Sequence, residues 1–309
     1  MKTPSWFLKR NLTARILWPV ALVYGLASKI IFKMRLFGKK SSKKPVICIG
    51  NIITGGVGKT PVVQEIARHL KNPAVLMRGY KGIKTGKVSA TDTAAEVGDE
   101  AKMLSHYFDV FVGKDRRLNL PKMQKYGHII MDDGFQNPTV EKNLSILVFD
   151  GRMGIGNGFV LPAGPLRESL RSGVKRADAV IIIGEDRKGL ESKILHIKNI
   201  PVFFAERKFG KHKFGKKISA FAGIGYPKKF FKSLEELSGK KLAAKFPFPD
   251  HHEFTAIDLK KLSAAKGELW TTEKDFARLP ANFAKNVKVL KMSVEIEKEF
   301  YKWLRLKKL

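Results

Sequence analysis

The run Gly50-Asn51-Ile52-Ile53-Thr54-Gly55-Gly56-Val57-Gly58-Lys59-Thr60-Pro61 has the composition of a loop that cradles phosphate. Gly55, Gly56 and Gly58 can adopt backbone angles that turn successive N–H groups toward one anion. Lys59 is placed to reach the β- and γ-phosphates of a nucleotide, and the Thr60 hydroxyl can ligate Mg²⁺. The full pattern G-x-x-x-x-G-K-[ST] would put its first glycine at position 53, where Ile53 stands. The core is nevertheless complete, so Ile53, Thr54, Gly55, Gly56, Val57, Gly58, Lys59 and Thr60 are the candidate nucleotide contacts.

Three further groups could serve phosphoryl transfer. His128–Met131 is an apolar run that ends in Asp132-Asp133-Gly134-Phe135-Gln136. A carboxylate at a strand end, downstream of a phosphate loop, is where Mg²⁺ is held directly or through water. Gly98-Asp99-Glu100 precedes a helical stretch, and acids at a helix start can simply favour the helix dipole. Pro249-Asp250-His251-His252 lies in a proline- and phenylalanine-rich loop, where adjacent histidines could be ligands, a catalytic pair or a capped turn. No H-E-x-x-H spacing or cysteine partner supports zinc there.

The elements that must position these groups follow from apolar periodicity. Pro45–Ile49 predicts a buried strand running into the glycine loop, and VVQEIARHL after Pro61 predicts a helix. Further strands are expected at Ala74–Met77, Val110–Val112, Leu144–Phe149, Ala179–Ile183 and Leu269–Thr272. Strands alternating with helices imply an α/β fold of the P-loop NTPase type, a mostly parallel sheet with helices on both faces. Ligands in such sheets bind at the carboxyl ends of the strands, where Arg78, Asp132 and the glycine loop fall. The stretch Arg207–Lys217 reads either as a boundary linker or as a basic patch with two interleaved phenylalanines. Three segments result: a basic apolar segment at 1–44, a nucleotide-binding domain at 45–205, and a smaller α/β domain at 206–309. The smaller domain carries Asp250-His251-His252, and its C-terminal amphipathic helix could return to the core.

The 309 residues carry 59 Lys and Arg against 28 Asp and Glu, an excess of +31 that calls for an anionic partner. The single cysteine, Cys48, excludes an intrachain disulfide framework. Eleven of the basic residues lie in 1–44, and the first acid is Glu65. Between Arg15 and Lys29 run thirteen uncharged, mostly apolar residues. That is short of the ~20 needed to span a bilayer. Its basic flanks suit a helix, bent near Pro19, lying in an anionic membrane interface. Two other readings are a signal peptide, with Gly25-Leu26-Ala27 before Ser28, and an amphipathic helix packed on the protein.

Together these motifs resemble the tetraacyldisaccharide 4'-kinases, the lipid A 4'-kinases of Gram-negative bacteria. The resemblance is carried by the glycine loop, Arg78–Tyr80, Gly98–Glu100, Met131–Gln136, Leu161–Glu168 (LPAGPLRE), AGIGYP with Phe230-Phe231, Phe248–Thr255 and Thr271–Asp275, in the family's order. It implies ATP and Mg²⁺ as cofactors. It also implies transfer of the γ-phosphoryl group to the 4'-hydroxyl of a tetraacylated glucosamine disaccharide 1-phosphate, at the cytoplasmic face of the inner membrane. Carried over, Lys59 is catalytic along with Asp99, the base for the hydroxyl proton, and His251, its partner. Thr60, Glu100, Asp132 and Asp133 serve the metal and nearby water. Arg78, Gln136, Arg167 and Glu168 line the site. Met77 and Ala101 stand where the family often has Ser and Pro. The implied partners are the glycolipid and an anionic membrane, with no nucleic acid, and the chain is expected to be a monomer. The alternatives are a partitioning-type ATPase and a nucleotide-binding membrane adaptor; the former usually places lysine directly before its paired glycines, where Thr54 stands.

Overall fold

The computed structural model describes residues 4–309. Its strands in chain order are β1 (Val46–Gly50), β2 (Pro73–Met77), β3 (Gly86–Lys87), β4 (Asp109–Val112), β5 (His128–Asp132), β6 (Leu144–Asp150), β7 (Ala179–Ile183), β8 (Val202–Phe209), β9 (Ile218–Ala222), β10 (Ala244–Pro247), β11 (Glu268–Thr272), β12 (Val287–Leu290) and β13 (Met292–Ile296). Nine form the main sheet, in the order β13-β8-β7-β6-β1-β5-β2-β4-β3. Only its two edge pairings, β13 with β8 and β3 with β4, are antiparallel. β1, β6 and β7 are buried at every position. This is why they read as unbroken apolar runs: helices cover both faces of a parallel sheet and leave no polar side.

β1 lies between β5 and β6, and Ile49 pairs in register with Asp132. The glycine loop and the Asp132-Asp133 turn therefore leave the sheet side by side, at its carboxyl edge. The Lys59–Arg68 helix follows the loop and buries Val62, Val63, Ile66 and Ala67 against the sheet.

A second, four-stranded parallel sheet has the order β10-β9-β11-β12. The Pro227–Ser238 helix packs Phe230, Phe231 and Leu234 with Trp270 in one of its cores. Phe209 and Phe214, the two phenylalanines of the Arg207–Lys217 stretch, pack on that same core, so the connection is anchored rather than free. After β12 the chain returns: β13 joins the edge of the main sheet, and the Lys298–Leu306 helix buries Phe300 and Leu304 in the main core.

The N-terminal segment forms two helices, Leu12–Ile16 and Trp18–Leu36, with a break at Leu17. Pro19 sits in the first turn of the second helix, where its missing N–H costs nothing. Ala21 is that helix's one fully buried residue.

Candidate active site

The glycine loop is built as its sequence requires. Gly55 and Gly58 have φ of 103° and 92°, a region that side chains avoid. A Cβ on Gly55 or Gly56 would meet no atom within 4 Å, so these two backbone units line open space. Ile53 occupies the position of the missing glycine for a structural reason. It is buried, bridges Leu166, and its carbonyl accepts a hydrogen bond from Asn51 Nδ2 at 2.8 Å. Thr54 N–H donates to the Pro165 carbonyl at 2.8 Å, and Arg167 N–H to the Ile52 carbonyl at 2.7 Å. The Leu161–Glu168 segment is thus a brace for the phosphate loop.

Lys59, at the start of its helix, donates to Asn51 Oδ1 at 3.2 Å and lies 3.5 Å from the Asp133 carboxylate. Asp133 also takes the Arg167 guanidinium at 3.1 Å. Burial works against its charge, but Lys59 and Arg167 outweigh it and hold the carboxyl below its usual range. Arg167 reaches the Gln136 side-chain carbonyl at 3.3 Å, and Gln136 Nε2 donates to Glu168 at 3.0 Å and to the Asn51 carbonyl at 2.8 Å. Arg116, buried behind the turn, donates to the backbone carbonyls of Asp132 and Asp133, both at 3.2 Å.

Asp132 differs from its neighbour. It is 2% exposed, and neither carboxylate oxygen has a hydrogen-bond partner. Burial, reinforced by Glu100, pushes its carboxyl up to about 7. Such a group suits a divalent cation, since a cation replaces the missing partner. Thr60, also buried, begins the adjoining helix. Among the described residues no three His, Cys, Asp or Glu side chains converge on one point. That fits Mg²⁺, which is commonly held by one or two carboxylates plus phosphate oxygens and water. Glu100 is engaged by Lys274, whose charge holds that carboxyl below its usual range.

Asp99 and His251 are brought together from the sides of the two sheets. Asp99 opens the Asp99–Leu104 helix after Gly98, whose φ is 89°. A Cβ on Gly98 would stand 2.7 Å from the Tyr80 carbonyl, so the Arg78-Gly79-Tyr80 turn and the Gly98-Asp99-Glu100 turn interlock through a glycine. His251, from the loop after β10, brings Nδ1 to 2.5 Å from Asp99 Oδ2. Arg278 closes the arrangement: one terminal nitrogen is 2.8 Å from Asp99, the other 3.2 Å from the buried Asp275. Tyr80 lies against the His251 ring, 5.9 Å between centroids.

The structure therefore brings Lys59, Asp133, Arg167, Gln136 and Glu168 into one network, and Asp99 with His251 into a second. Arg78 is exposed beyond β2 and shares no hydrogen bond or ion pair with either. His252 turns to Asp258, 2.9 Å away, and stacks on Phe248. Sequence reading missed Asn51, Arg116, Lys274 and Arg278. Only Asp275 and Arg278, at i and i+3 on one turn, left a trace.

On geometry this chain is a P-loop phosphotransferase of the α/β class. The comparisons with known proteins agree and go further. The family model described as tetraacyldisaccharide-1-P 4'-kinase matches residues 13–308. A tetraacyldisaccharide 4'-kinase of Paramagnetospirillum magneticum is 40% identical over 312 residues, covering 96% of this chain and 94% of that protein. One from Rhodospirillum centenum is 39% identical over 323 residues, covering 96% and 93%. The crystal structure of LpxK from Aquifex aeolicus in complex with ATP has a TM-score of 0.79 to this chain at 27% identity, covering 96% of this chain and 98% of that one. The chain belongs to the tetraacyldisaccharide-1-P 4'-kinase family. It is a kinase, and the partitioning-ATPase alternative finds no support in these matches.

Proposed function

We propose that the chain transfers the γ-phosphoryl group of ATP to the 4'-hydroxyl of a tetraacylated glucosamine disaccharide 1-phosphate. The observation that carries this reading is the Asp99–His251 pair, set beside a complete phosphate loop. Asp99 accepts the 4'-hydroxyl proton as the hydroxyl oxygen bonds to the γ-phosphorus. The bond from that phosphorus to the β-bridging oxygen breaks, and ADP leaves. His251 orients the Asp99 carboxylate and shares the proton. Lys59 and the loop N–H groups balance charge on the transferring group, which asks for positioning rather than a covalent intermediate. Mg²⁺ would be held by Asp132 and Thr60, with Glu100 and Asp133 serving it or nearby water, and would supply positive charge to the transferring phosphoryl group.

The enzyme works as a monomer at an anionic membrane surface, the cytoplasmic face of the inner membrane. This is supported by the N-terminal segment. Of 24 exposed large apolar residues among the described residues, 14 lie between Leu8 and Phe37. So dense an apolar surface is costly in water, and its basic flanks fit anionic headgroups. No helix among the described residues is long and apolar enough to cross a membrane, and an interfacial placement fits the segment's exposed apolar residues. Both ends are tied to the body. Asn157 Nδ2 donates to the Trp6 carbonyl at 2.6 Å, and Lys40 N–H donates to the Thr139 carbonyl at 2.8 Å. Incubation with γ-labelled ATP and the acylated disaccharide tests the proposal. Label should appear on the glycolipid; label recovered only as free phosphate would overturn it.

A further inference from the structure

On the Trp18–Leu36 helix the less exposed positions form one stripe, along which a Cβ at Gly25 would still meet no atom within 4 Å. Its shielded positions are Ala21, Gly25, Ser28 and Phe32, each three or four residues from the next. Phe32 is the only large side chain among them. Its ring is covered by Arg176, the last residue of the Leu170–Arg176 helix, at 4.5 Å from guanidinium carbon to ring centroid. The same guanidinium lies 4.8 Å from the ring of Phe135, in the turn that carries Asp132 and Asp133. One of its nitrogens, Nη2, donates to both oxygens of Glu168 at 2.5 Å each. Glu168 accepts from Gln136, Gln136 meets Arg167, and Arg167 holds the Asp133 carboxylate that pairs with Lys59.

We propose that Arg176 is a positioning residue for phosphoryl transfer: wedged between Phe32 of the apolar helix and Phe135 of the Asp132–Gln136 turn, it fixes Glu168 and thereby ties turnover to the seating of that helix. The proposal rests on the membrane-kinase reading above. Arginine is suited to this place because one planar group can stack on two rings while a terminal nitrogen still donates to a carboxylate. Lysine has no planar face to stack. If the helix shifts, one stacking face is lost and the guanidinium has room to rotate away from Glu168. Glu168, Gln136 and Arg167 then lose their common registration on the phosphate loop.

The test is a double-mutant cycle with Phe32→Ala and Arg176→Lys, assayed with detergent-solubilised acylated disaccharide and ATP. Arg176→Lys should lower kcat about tenfold and leave KM for ATP within about twofold, the signature of lost positioning rather than lost binding. Phe32→Ala should lower kcat about threefold, and the double variant should be no slower than Arg176→Lys alone, because both act through one group. Thermal unfolding and sedimentation with anionic vesicles, run in parallel, should be nearly unchanged for Arg176→Lys. If Phe32→Ala disturbs folding, Phe32→Leu keeps the bulk and removes the ring face, with a loss of about twofold. Losses that multiply, or a wild-type kcat in Arg176→Lys, would overturn the proposal while leaving the kinase reading intact. A wild-type protein that labels no glycolipid would remove both.

Discussion

Asp99 and His251 stand 152 residues apart in sequence, yet their side chains meet at 2.5 Å. One opens a helix that packs with the main sheet; the other projects from a loop of the second sheet. The pair exists only when the two sheets are docked, and Arg278 is one of the side chains that hold the dock, beside Lys274 on Glu100. Arg278 touches Asp99, Asp275 and the carbonyls of Gly223 and His252 while only 5% exposed.

Arg278→Met should therefore be costly to stability. It leaves Asp275, which is 0% exposed, and Asp99 without their shared cation. Breaking a buried pair in this way costs about 3 kcal/mol. For a chain of this size that lowers Tm by roughly 4–6 °C, read by calorimetry. An unchanged Tm would show that the dock does not depend on Arg278.

Asp132→Asn should stabilise the protein without Mg²⁺ or nucleotide while abolishing transfer. The folded carboxyl is raised to about 7, so its ionisation works against folding as pH rises from the ordinary carboxylate range through 7. Below that range the wild type pays no such penalty. In chelator, the variant should melt about 3–6 °C higher at about pH 8, a gain of roughly 2–4 kcal/mol, and near wild type at about pH 4. A variant that melts lower at about pH 8 would mean Asp132 has a structural partner.

Leu26→Glu with Ile30→Glu should weaken membrane binding and leave the fold alone, since both side chains are at least half exposed. Partition onto anionic vesicles should fall by at least about tenfold, measured by sedimentation, because apolar insertion and charge attraction act together. Unchanged partition would place the membrane contact elsewhere.

Much of this architecture is legible in the sequence because parallel strands are covered on both sides. β1, β6 and β7 announce themselves as continuous apolar runs, and glycine followed by Lys59-Thr60 marks the loop. β8 and β13, at the edge, alternate buried and exposed residues and pass into a lysine-rich connection, so neither is evident as part of the main sheet. Lone polar residues are illegible for a different reason. Asn51, Arg116, Lys274 and Arg176 carry no period and no spacing. Their meaning lies in partners that the fold supplies, as Lys274 does for Glu100, 174 residues away.

The central claim is that Asp99, oriented by His251, takes the proton of the sugar hydroxyl while the glycine loop holds the triphosphate. The most direct measurement is a single-turnover assay of Asp99→Asn and His251→Gln on enzyme preloaded with ATP and the acylated disaccharide. Transfer should slow by at least about 100-fold in Asp99→Asn and about 10-fold or more in His251→Gln, with ATP affinity within about threefold of wild type. Wild-type transfer rates in both variants, with only ATP affinity reduced, would contradict it.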